Sequence, residues 1–140
     1  MLSPWAVEEL KTANLNDTRL NDRLRVLLSN LSASPTASIP AACGGYSETA
    51  AAYRFFDNQK VRFENVLQPH IDTTRIRLAA QPVVVLVPDT TEIDLTRPHQ
   101  QVQGVGLLDG KARQGVFLHP LCAFTPDGTP LGTVAAGYWT

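Results

Sequence analysis

The sequence predicts an α+β protein, with a small helical domain over residues 1–80 and a β-strand plus a β-hairpin over residues 81–140. Two observations predict this division. Apolar residues recur at helical spacing through the first part, whereas beyond Gln81-Pro82 they form short β-branched or alternating runs bounded by glycine and proline. A chain of 140 residues with 44% hydrophobic and 18% charged positions can bury an ordinary core.

Composition and charge also limit the function classes. The formal net charge is −1, which counts against a strong non-specific nucleic-acid binder but leaves room for a local basic patch. No apolar run is long enough to cross a bilayer, and the first residues lack the regions of a signal peptide. Cys43 and Cys122 have no CxxC spacing. We therefore expect a reduced, cytoplasmic protein with no membrane partner.

Two helices are predicted at the start of the chain. Ser3-Pro4 is typical of a helix start, because serine caps and proline suits the first helical position. Residues 14–17, Asn-Leu-Asn-Asp, break this helix and cap the next. The second helix has one apolar stripe, formed by Leu20, Leu24, Leu27, Leu28 and Leu31. Arg19 and Arg23 lie one turn apart on the flank of this stripe.

A loop and a short helix are predicted next. Residues 32–40 are rich in Ser, Thr, Ala and Pro and have no periodicity, which predicts a loop. Ser47 is expected to cap a helix over residues 48–56. We expect its aromatic pair, Phe55-Phe56, to fill the helical core while Tyr53 and Arg54 face outward.

The last predicted helix runs from Phe63 towards Ala80. Its apolar residues keep helical spacing, but Pro69 falls inside it. Because proline lacks an N–H group and clashes with the preceding turn, the helix is expected either to kink at Pro69 or to start there. His70 is expected to be a partly buried helix residue.

The first strand is predicted from the run Pro-Val-Val-Val-Leu-Val-Pro at residues 82–88, whose apolar side chains suit a strand covered on both faces. The run ends in Asp89-Thr90-Thr91. The end of a buried strand is where open α/β sheets carry their chemistry, but an aspartate there is equally common as a turn cap. Residues 89–96 alternate and therefore continue or follow this strand.

A hairpin is predicted at the end of the sequence. Residues 100–115 contain four glycines and predict a flexible connection. Residues 115–124 and 130–139 flank Thr125-Pro126-Asp127-Gly128, which favours a type I turn with a bulge. The first hairpin strand is apolar on both alternating faces, as a sheet covered on both sides requires.

Seven motifs follow one another in an order that resembles a known family. They are Asn16-Asp17-x-Arg19-Leu20-x-x-Arg23-Leu24, Ser38-Ile39-Pro40, Ala51-Ala52-Tyr53-Arg54-Phe55-Phe56-Asp57-Asn58, Asp89-Thr90-Thr91, Gly104-x-Gly106, His119, and Asp127-Gly128-x-Pro130-Leu131-Gly132. Together they look like the start of a bacterial insertion-sequence transposase of the cut-and-paste type, similar to the IS-four and transposon-five enzymes. The resemblance spans essentially the whole chain.

The resemblance implies a helical domain that binds the transposon end, followed by the first strands of an RNase H-like catalytic domain. Asp89 matches the first carboxylate of the family's Asp-Asp-Glu triad and is therefore the expected catalytic and metal-binding residue. In that family carboxylates hold paired Mg²⁺ ions that polarise the scissile phosphate. His119 is expected to pack within the sheet.

The same resemblance predicts that this chain is truncated and inactive alone. The family's second Asp and its Glu lie beyond such a hairpin, and Glu92 cannot replace them because positions 89 and 92 point to opposite faces of a regular strand. Mg²⁺ binding is therefore expected to be weak or absent. Pro88 does not suit a central strand, because proline has no N–H group to donate to a neighbouring strand. We therefore expect either a bulge at Pro88 or a strand that pairs on one side only.

The expected DNA contacts lie in the helical domain. They are Arg19, Arg23, Tyr53, Arg54, Asn58 and Lys60. Arginine suits this role because its fork binds phosphate and guanine bidentately. With so few cations the slope of log K against log [salt] should be about −2 to −4. The alternative for each residue is an ordinary surface position; Arg19, for example, can pair with Asp22 at i, i+3.

Three hypotheses from different classes follow. The first is an inactive remnant of a DNA transposition enzyme. The second is a DNA-binding or regulatory module that occupies transposon ends, as a homodimer or mixed with full-length transposase. The third is an α+β interaction domain without a nucleic-acid role. Retardation of a transposon-end duplex separates the first two from the third.

Overall fold

The computed structural model describes residues 2–110 and 112–140 and confirms a mixed α+β protein, with helices first and an antiparallel sheet after them. The chain divides into two compact units, one up to Thr73 and one over Thr74–Thr140. The described helices are α1 (Pro4–Glu9), α2 (Thr18–Ala33), α3 (Ile39–Cys43), α4 (Tyr46–Phe56) and α5 (Phe63–Ala79).

The start of α2 is capped as the sequence predicts. The Asp17 side chain accepts a hydrogen bond from the Arg19 backbone N–H at 2.9 Å, which satisfies one of the free donors of the first turn. At the start of α1, Ser3 occupies the cap position but its hydroxyl caps nothing. The Ser3 N–H instead donates to the Ser29 hydroxyl at 3.0 Å, which ties α1 to α2.

The core of the first unit is built on the leucine stripe of α2. Leu20, Leu24 and Leu27 are buried, as predicted. Phe55 is 2% exposed and joins them, whereas Phe56 is 51% exposed, so the expected aromatic pair contributes only its first ring to the core. The whole buried cluster is Leu10, Ala13, Leu15, Leu20, Leu24, Leu27, Cys43, Ala52 and Phe55.

Two predicted boundaries in this unit are wrong. The predicted loop at 32–40 contains the end of α2 and the start of α3, where the Ser38 hydroxyl accepts from the Ala41 N–H at 3.4 Å and Gly44, at φ 81°, ends the helix. A helix of five residues is too short to show periodicity, which is why the sequence did not reveal it. Ser47 lies inside α4, whose N-cap is Gly45.

Of the two predicted alternatives for Pro69, a start of the helix there is wrong. Helix α5 runs from Phe63 to Ala79 with Pro69 buried inside it. Within the first unit, the Thr73 hydroxyl contacts the Pro69 carbonyl at 3.0 Å and the Glu9 carbonyl at 2.9 Å. His70 is half-buried, as predicted, and its Nδ1 lies 2.7 Å from the Glu9 carboxylate.

The sheet of the second unit is centred on one strand. The described strands are β1 (Val85–Pro88), β2 (Thr91–Asp94), β3 (Gly106–Leu107), β4 (Gln114–Phe124) and β5 (Pro130–Trp139). Each of the other strands pairs antiparallel with β4. The predicted hairpin is confirmed as β4–β5, and its turn is closed by the Gly128 N–H, which donates to the Thr125 carbonyl at 2.9 Å.

Strands β1 and β2 form one interrupted ladder along the same side of β4. The pairing runs in one unbroken register from Val85 opposite Phe124 to Asp94 opposite Gly115. Since β5 pairs with the same β4 residues, it must occupy the opposite side. The sequence predicted that residues 89–96 continue or follow the first strand. The shared register shows that Thr91–Asp94 continue it, after a gap at Asp89-Thr90.

The prediction that the first strand is covered on both faces is wrong. Val85, Leu86 and Val87 are 44%, 47% and 43% exposed. In this unit the end of α5 contacts β5 instead, where the Arg77 Nε donates to the Leu131 carbonyl at 2.5 Å.

Candidate nucleic-acid interface

Four of the predicted DNA contacts line one groove between α2 and α4. Arg19 and Arg23 lie one turn apart on α2. Arg54 lies in the last turn of α4, and Asn58 follows two residues after the helix ends. The groove has a volume of about 350 Å³ and its full lining is Asp17, Arg19, Leu20, Arg23, Ala51, Arg54, Phe55 and Asn58. We call it the arginine groove.

The arginine groove has a rigid floor. Leu20 and Phe55 are buried members of the helical core, so the packing of α2 against α4 fixes the distance between the two charged walls. The arginines can therefore stay above an apolar base without a cost in burying their charges. Such an arrangement suits an anion that arrives from solvent.

The groove arginines differ in how far they are already neutralised. The Arg23 Nη1 lies 2.6 Å from the Glu48 Oε2, which joins α2 to α4. The Arg19 Nη2 lies 3.4 Å from the Asp17 Oδ2, and its side chain is 92% exposed. In the part of the chain that the structure describes, the Arg54 side chain has no ion-pair or hydrogen-bond partner. Arg54 is thus the most available cation of the groove.

The predicted pair between Arg19 and Asp22 does not form. Asp22 pairs with Arg25 at 3.3 Å, and Arg19 turns back to Asp17. The reason is local, because Asp17 at the N-cap already faces the first turn, where its carboxylate accepts the Arg19 backbone N–H.

Asp17 is a carboxylate shared by two cations. Its Oδ2 lies 4.0 Å from the Lys60 Nζ as well as 3.4 Å from the Arg19 guanidinium. The hydrogen bonds from the Arg19 side chain and backbone lower the pKa of Asp17 below its ordinary value, and the charges of Arg19 and Lys60 act in the same direction. Asp17 is therefore ionised at neutral pH.

The local charge balance is positive although the chain as a whole is slightly acidic. The residues that line the arginine groove carry three positive charges, on Arg19, Arg23 and Arg54, against one negative charge on Asp17. Glu48, which pairs with Arg23, adds a second negative charge. This excess of positive charge is the local basic patch that the slightly negative net charge of the chain does not exclude.

The remaining predicted contacts lie beside the groove. Tyr53 is 51% exposed on α4 and faces outward, as predicted, but does not line the groove. The Asn58 side-chain oxygen accepts the Lys60 N–H at 2.9 Å, so part of this side chain is committed to the turn after α4. The sequence prediction missed Arg62, which is exposed and lines a neighbouring groove with Lys60.

Asp89 lies in the gap between β1 and β2. Its backbone N–H donates to the Pro120 carbonyl at 3.3 Å, but Pro120 has no N–H group to return the bond, and the ladder is interrupted there. The Asp89 carboxylate is exposed and accepts the Thr90 N–H at 2.9 Å. On the other face, the Thr90 hydroxyl lies 2.7 Å from the His119 Nδ1, so His119 packs on the sheet.

The missing N–H group of Pro88 does not remove a hydrogen bond between β1 and β4. Asp89 and Leu95 direct their N–H groups towards β4, so the alternation gives Pro88 a position that faces the other way. Within the described residues β1 pairs with β4 alone, which is the one-sided pairing that the sequence allowed.

The described residues do not fit a two-metal site around Asp89. Glu92 and Asp94 lie on the opposite strand face and are held by Arg113, whose guanidinium is 2.7 Å from Glu92 and 3.7 Å from Asp94. Among residues 2–110 and 112–140, His, Cys, Asp and Glu form no group of three that could hold a metal ion. A single exposed carboxylate is a poor Mg²⁺ site.

Comparisons with known proteins bear on the helical unit. Residues 3–61 match the model of a family described as transposase DNA-binding, a segment that contains the whole arginine groove. This match supports a transposase N-terminal domain and DNA as its partner. No curated protein matches the chain. In the described portion of the chain, no helix combines the length and the apolarity that a bilayer crossing needs.

Proposed function

We propose that the helical unit is the transposon-end-binding domain of a bacterial insertion-sequence transposase of the IS-four and transposon-five type, and that DNA lies against the arginine groove. The observation that carries this proposal is the convergence of Arg19, Arg23 and Arg54 in one groove inside the segment that matches a transposase DNA-binding family. Guanidinium groups donate bidentately to phosphate oxygens, and here they project from a packed helical pair.

The groove arginines have different roles in this proposal. Arg54 and Arg19 bind phosphates first, because one has no partner among the described residues and the other is almost fully exposed. Arg23 binds phosphate only after its ion pair with Glu48 has weakened. Tyr53, Asn58 and Lys60 flank the groove and extend the contact along the duplex.

For the second unit we propose the opening strands of an RNase H-like domain, with Asp89 as its first metal-binding carboxylate. The support is that Asp89 is exposed at the end of the first strand of an antiparallel sheet. Since Glu92 and Asp94 are held by Arg113, we propose that the 140-residue chain binds Mg²⁺ weakly or not at all and does not cleave DNA alone.

A second candidate function is occupancy of transposon ends without cleavage, as a homodimer or mixed with full-length transposase. The contrast between the two units favours it. The basic groove is assembled within the first unit, whereas among the described residues Asp89 belongs to no group of three His, Cys, Asp or Glu that could hold a metal ion. A chain of this kind competes for ends that an active enzyme would use.

The test is DNA binding by the 140-residue chain and its Arg54→Gln variant. Duplexes are selected from a randomised library, and affinity is measured by fluorescence anisotropy at several salt concentrations. Arg54→Gln should weaken binding about five- to ten-fold and reduce the salt slope by about 1. Lys11→Gln removes the same charge from the turn after α1, outside the groove, and should leave affinity nearly unchanged.

Two results would contradict the proposal. If the wild-type chain binds no duplex, even at low salt, both proposed DNA-binding functions are wrong. Nicking of supercoiled DNA by the purified chain with Mg²⁺ or Mn²⁺ contradicts the proposed inactivity.

A further inference from the structure

We propose that a second groove, next to the arginine groove, also binds the DNA backbone, with Arg62 as its main phosphate ligand. This inference rests on the proposed DNA-binding function and extends its site. The second groove has a volume of about 440 Å³ and is lined by Asn16, Gln59, Lys60, Arg62 and Asn65. Arg62 lies one position beyond the segment that matches the transposase family.

Asp17 lines only the arginine groove, but its ion pair with Lys60 links this groove to the second one. The Asp17 Oδ2 is shared by Arg19, which lines the arginine groove, and Lys60, which lines the second groove. Asn16, the neighbour of Asp17 in the chain, also lines the second groove. A polyanion that enters one groove can therefore continue into the other, and it replaces Asp17 as the partner of both cations.

The lining of the second groove suits phosphate. It consists of a lysine, an arginine and three amides, all of which can donate hydrogen bonds to phosphate oxygens, and it contains no carboxylate. Glu64, two positions after Arg62 in the sequence, lines a different depression together with Thr12 and Pro69. The Arg62 side chain is exposed and has no ion-pair partner in the described ranges.

The backbone that carries both cations is held in place. The Lys60 N–H donates to the Asn58 side chain at 2.9 Å, and the Lys60 carbonyl accepts from the Asn65 Nδ2 at 2.7 Å. The Arg62 N–H donates to the Asn65 Oδ1 at 2.9 Å. Because these bonds fix the segment before DNA arrives, less conformational entropy is lost when the side chains bind.

Phosphate ethylation interference on the full 140-residue chain tests this inference. The probe is a selected duplex of about 20 base pairs, two helical turns. We expect two separate sets of phosphates whose ethylation blocks binding by the wild-type chain. Arg62→Gln should abolish interference at one set only, weaken binding about five- to ten-fold and lower the salt slope by about 1. Arg54→Gln should abolish interference at the other set.

The outcomes separate this inference from the proposed function. If Arg54→Gln weakens binding but Arg62→Gln keeps wild-type affinity, salt slope and interference pattern, the proposed role of the second groove is wrong and the proposed function stands. If the wild-type chain binds no duplex, the proposed function fails and the second groove with it. A loss of binding with Arg62→Gln that Lys11→Gln reproduces would show a general charge effect and would also overturn the second groove.

Discussion

The Arg23 guanidinium lies 2.6 Å from the Glu48 carboxylate and so ties α2 to α4 at the arginine groove. Both side chains are partly exposed, and ion pairs of this kind stabilise a fold by only about 0.2–1 kcal/mol. The pair therefore matters less for stability than for the charge that the groove presents to DNA.

Glu48→Gln should strengthen DNA binding. The substitution frees Arg23 and removes one of the two carboxylates that offset the groove cations, so we expect affinity to rise about two- to five-fold, the equivalent of roughly 0.5–1 kcal/mol. Anisotropy titration measures this. Glu8→Gln in α1, which removes the same charge from the ion pair between Glu8 and Lys11, is the matched control. Equal or weaker binding by Glu48→Gln would contradict the role of Arg23.

Asp17→Asn should strengthen DNA binding without loss of the α2 cap. Asparagine caps helices about as well as aspartate, but it carries no charge for Arg19 and Lys60 to pair with. Asp17→Ala removes the same charge and the cap together, and should therefore also lower the urea midpoint of the first unit. DNA affinity and urea denaturation of both variants separate the two effects. A weaker affinity of Asp17→Asn would show that Asp17 orients the cations instead of competing with DNA.

Acid should remove the contribution of Asp17 to stability. Because its pKa in the folded chain is lowered by the Arg19 hydrogen bonds, the contribution is fully present above the ordinary value of 3.8 and is lost as pH falls through the lowered pKa. The stability difference between wild type and Asp17→Asn should thus be constant from neutral pH to about pH 5 and shrink below about pH 4. Urea denaturation followed by circular dichroism measures it. A stability difference between wild type and Asp17→Asn that increases as the pH falls would contradict this prediction.

Local sequence rules predicted one wall of the site and missed how the site is assembled. Helical periodicity suffices to put Arg19 and Arg23 on one flank of α2. The position of Arg54 beside them depends on the packing of Leu20 against the α4 residue Phe55, which no local rule gives. Arg62 belongs to no periodic pattern, so the sequence shows only that a second cation follows Lys60 two positions later.

The sheet shows the same division between local and distant causes. The β4–β5 hairpin was predictable because its turn residues act locally, as the Gly128 bond to Thr125 illustrates. The gap at Asp89 depends on Pro120, a distant residue without an N–H group, and could not be inferred from the strand itself. Exposure of Val85–Pro88 likewise depends on which other elements pack against the strand, and its own apolar residues do not reveal that.

Gly115→Ala should destabilise the sheet, whereas Gly137→Ala should not. A Cβ at Gly115 would overlap the Ile93 carbonyl oxygen and lie 3.0 Å from the Leu108 Cδ1, where β2 pairs with β4, so the backbone must shift. A Cβ at Gly137, in β5, meets no atom within 4 Å. We expect a loss of about 2–3 kcal/mol for the first variant and little change for the second.

Fluorescence of Trp139 reports this difference, because its ring stacks on Phe117 of β4 at 5.7 Å between ring centroids. The exposed Trp5 of the first unit is replaced by phenylalanine in every variant, so that the signal belongs to the sheet alone. Urea midpoints of the Gly115→Ala and Gly137→Ala variants are then compared with the Trp5→Phe background. Equal midpoints for all three would mean that β2 does not approach β4 as closely as the register of Asp94 opposite Gly115 requires.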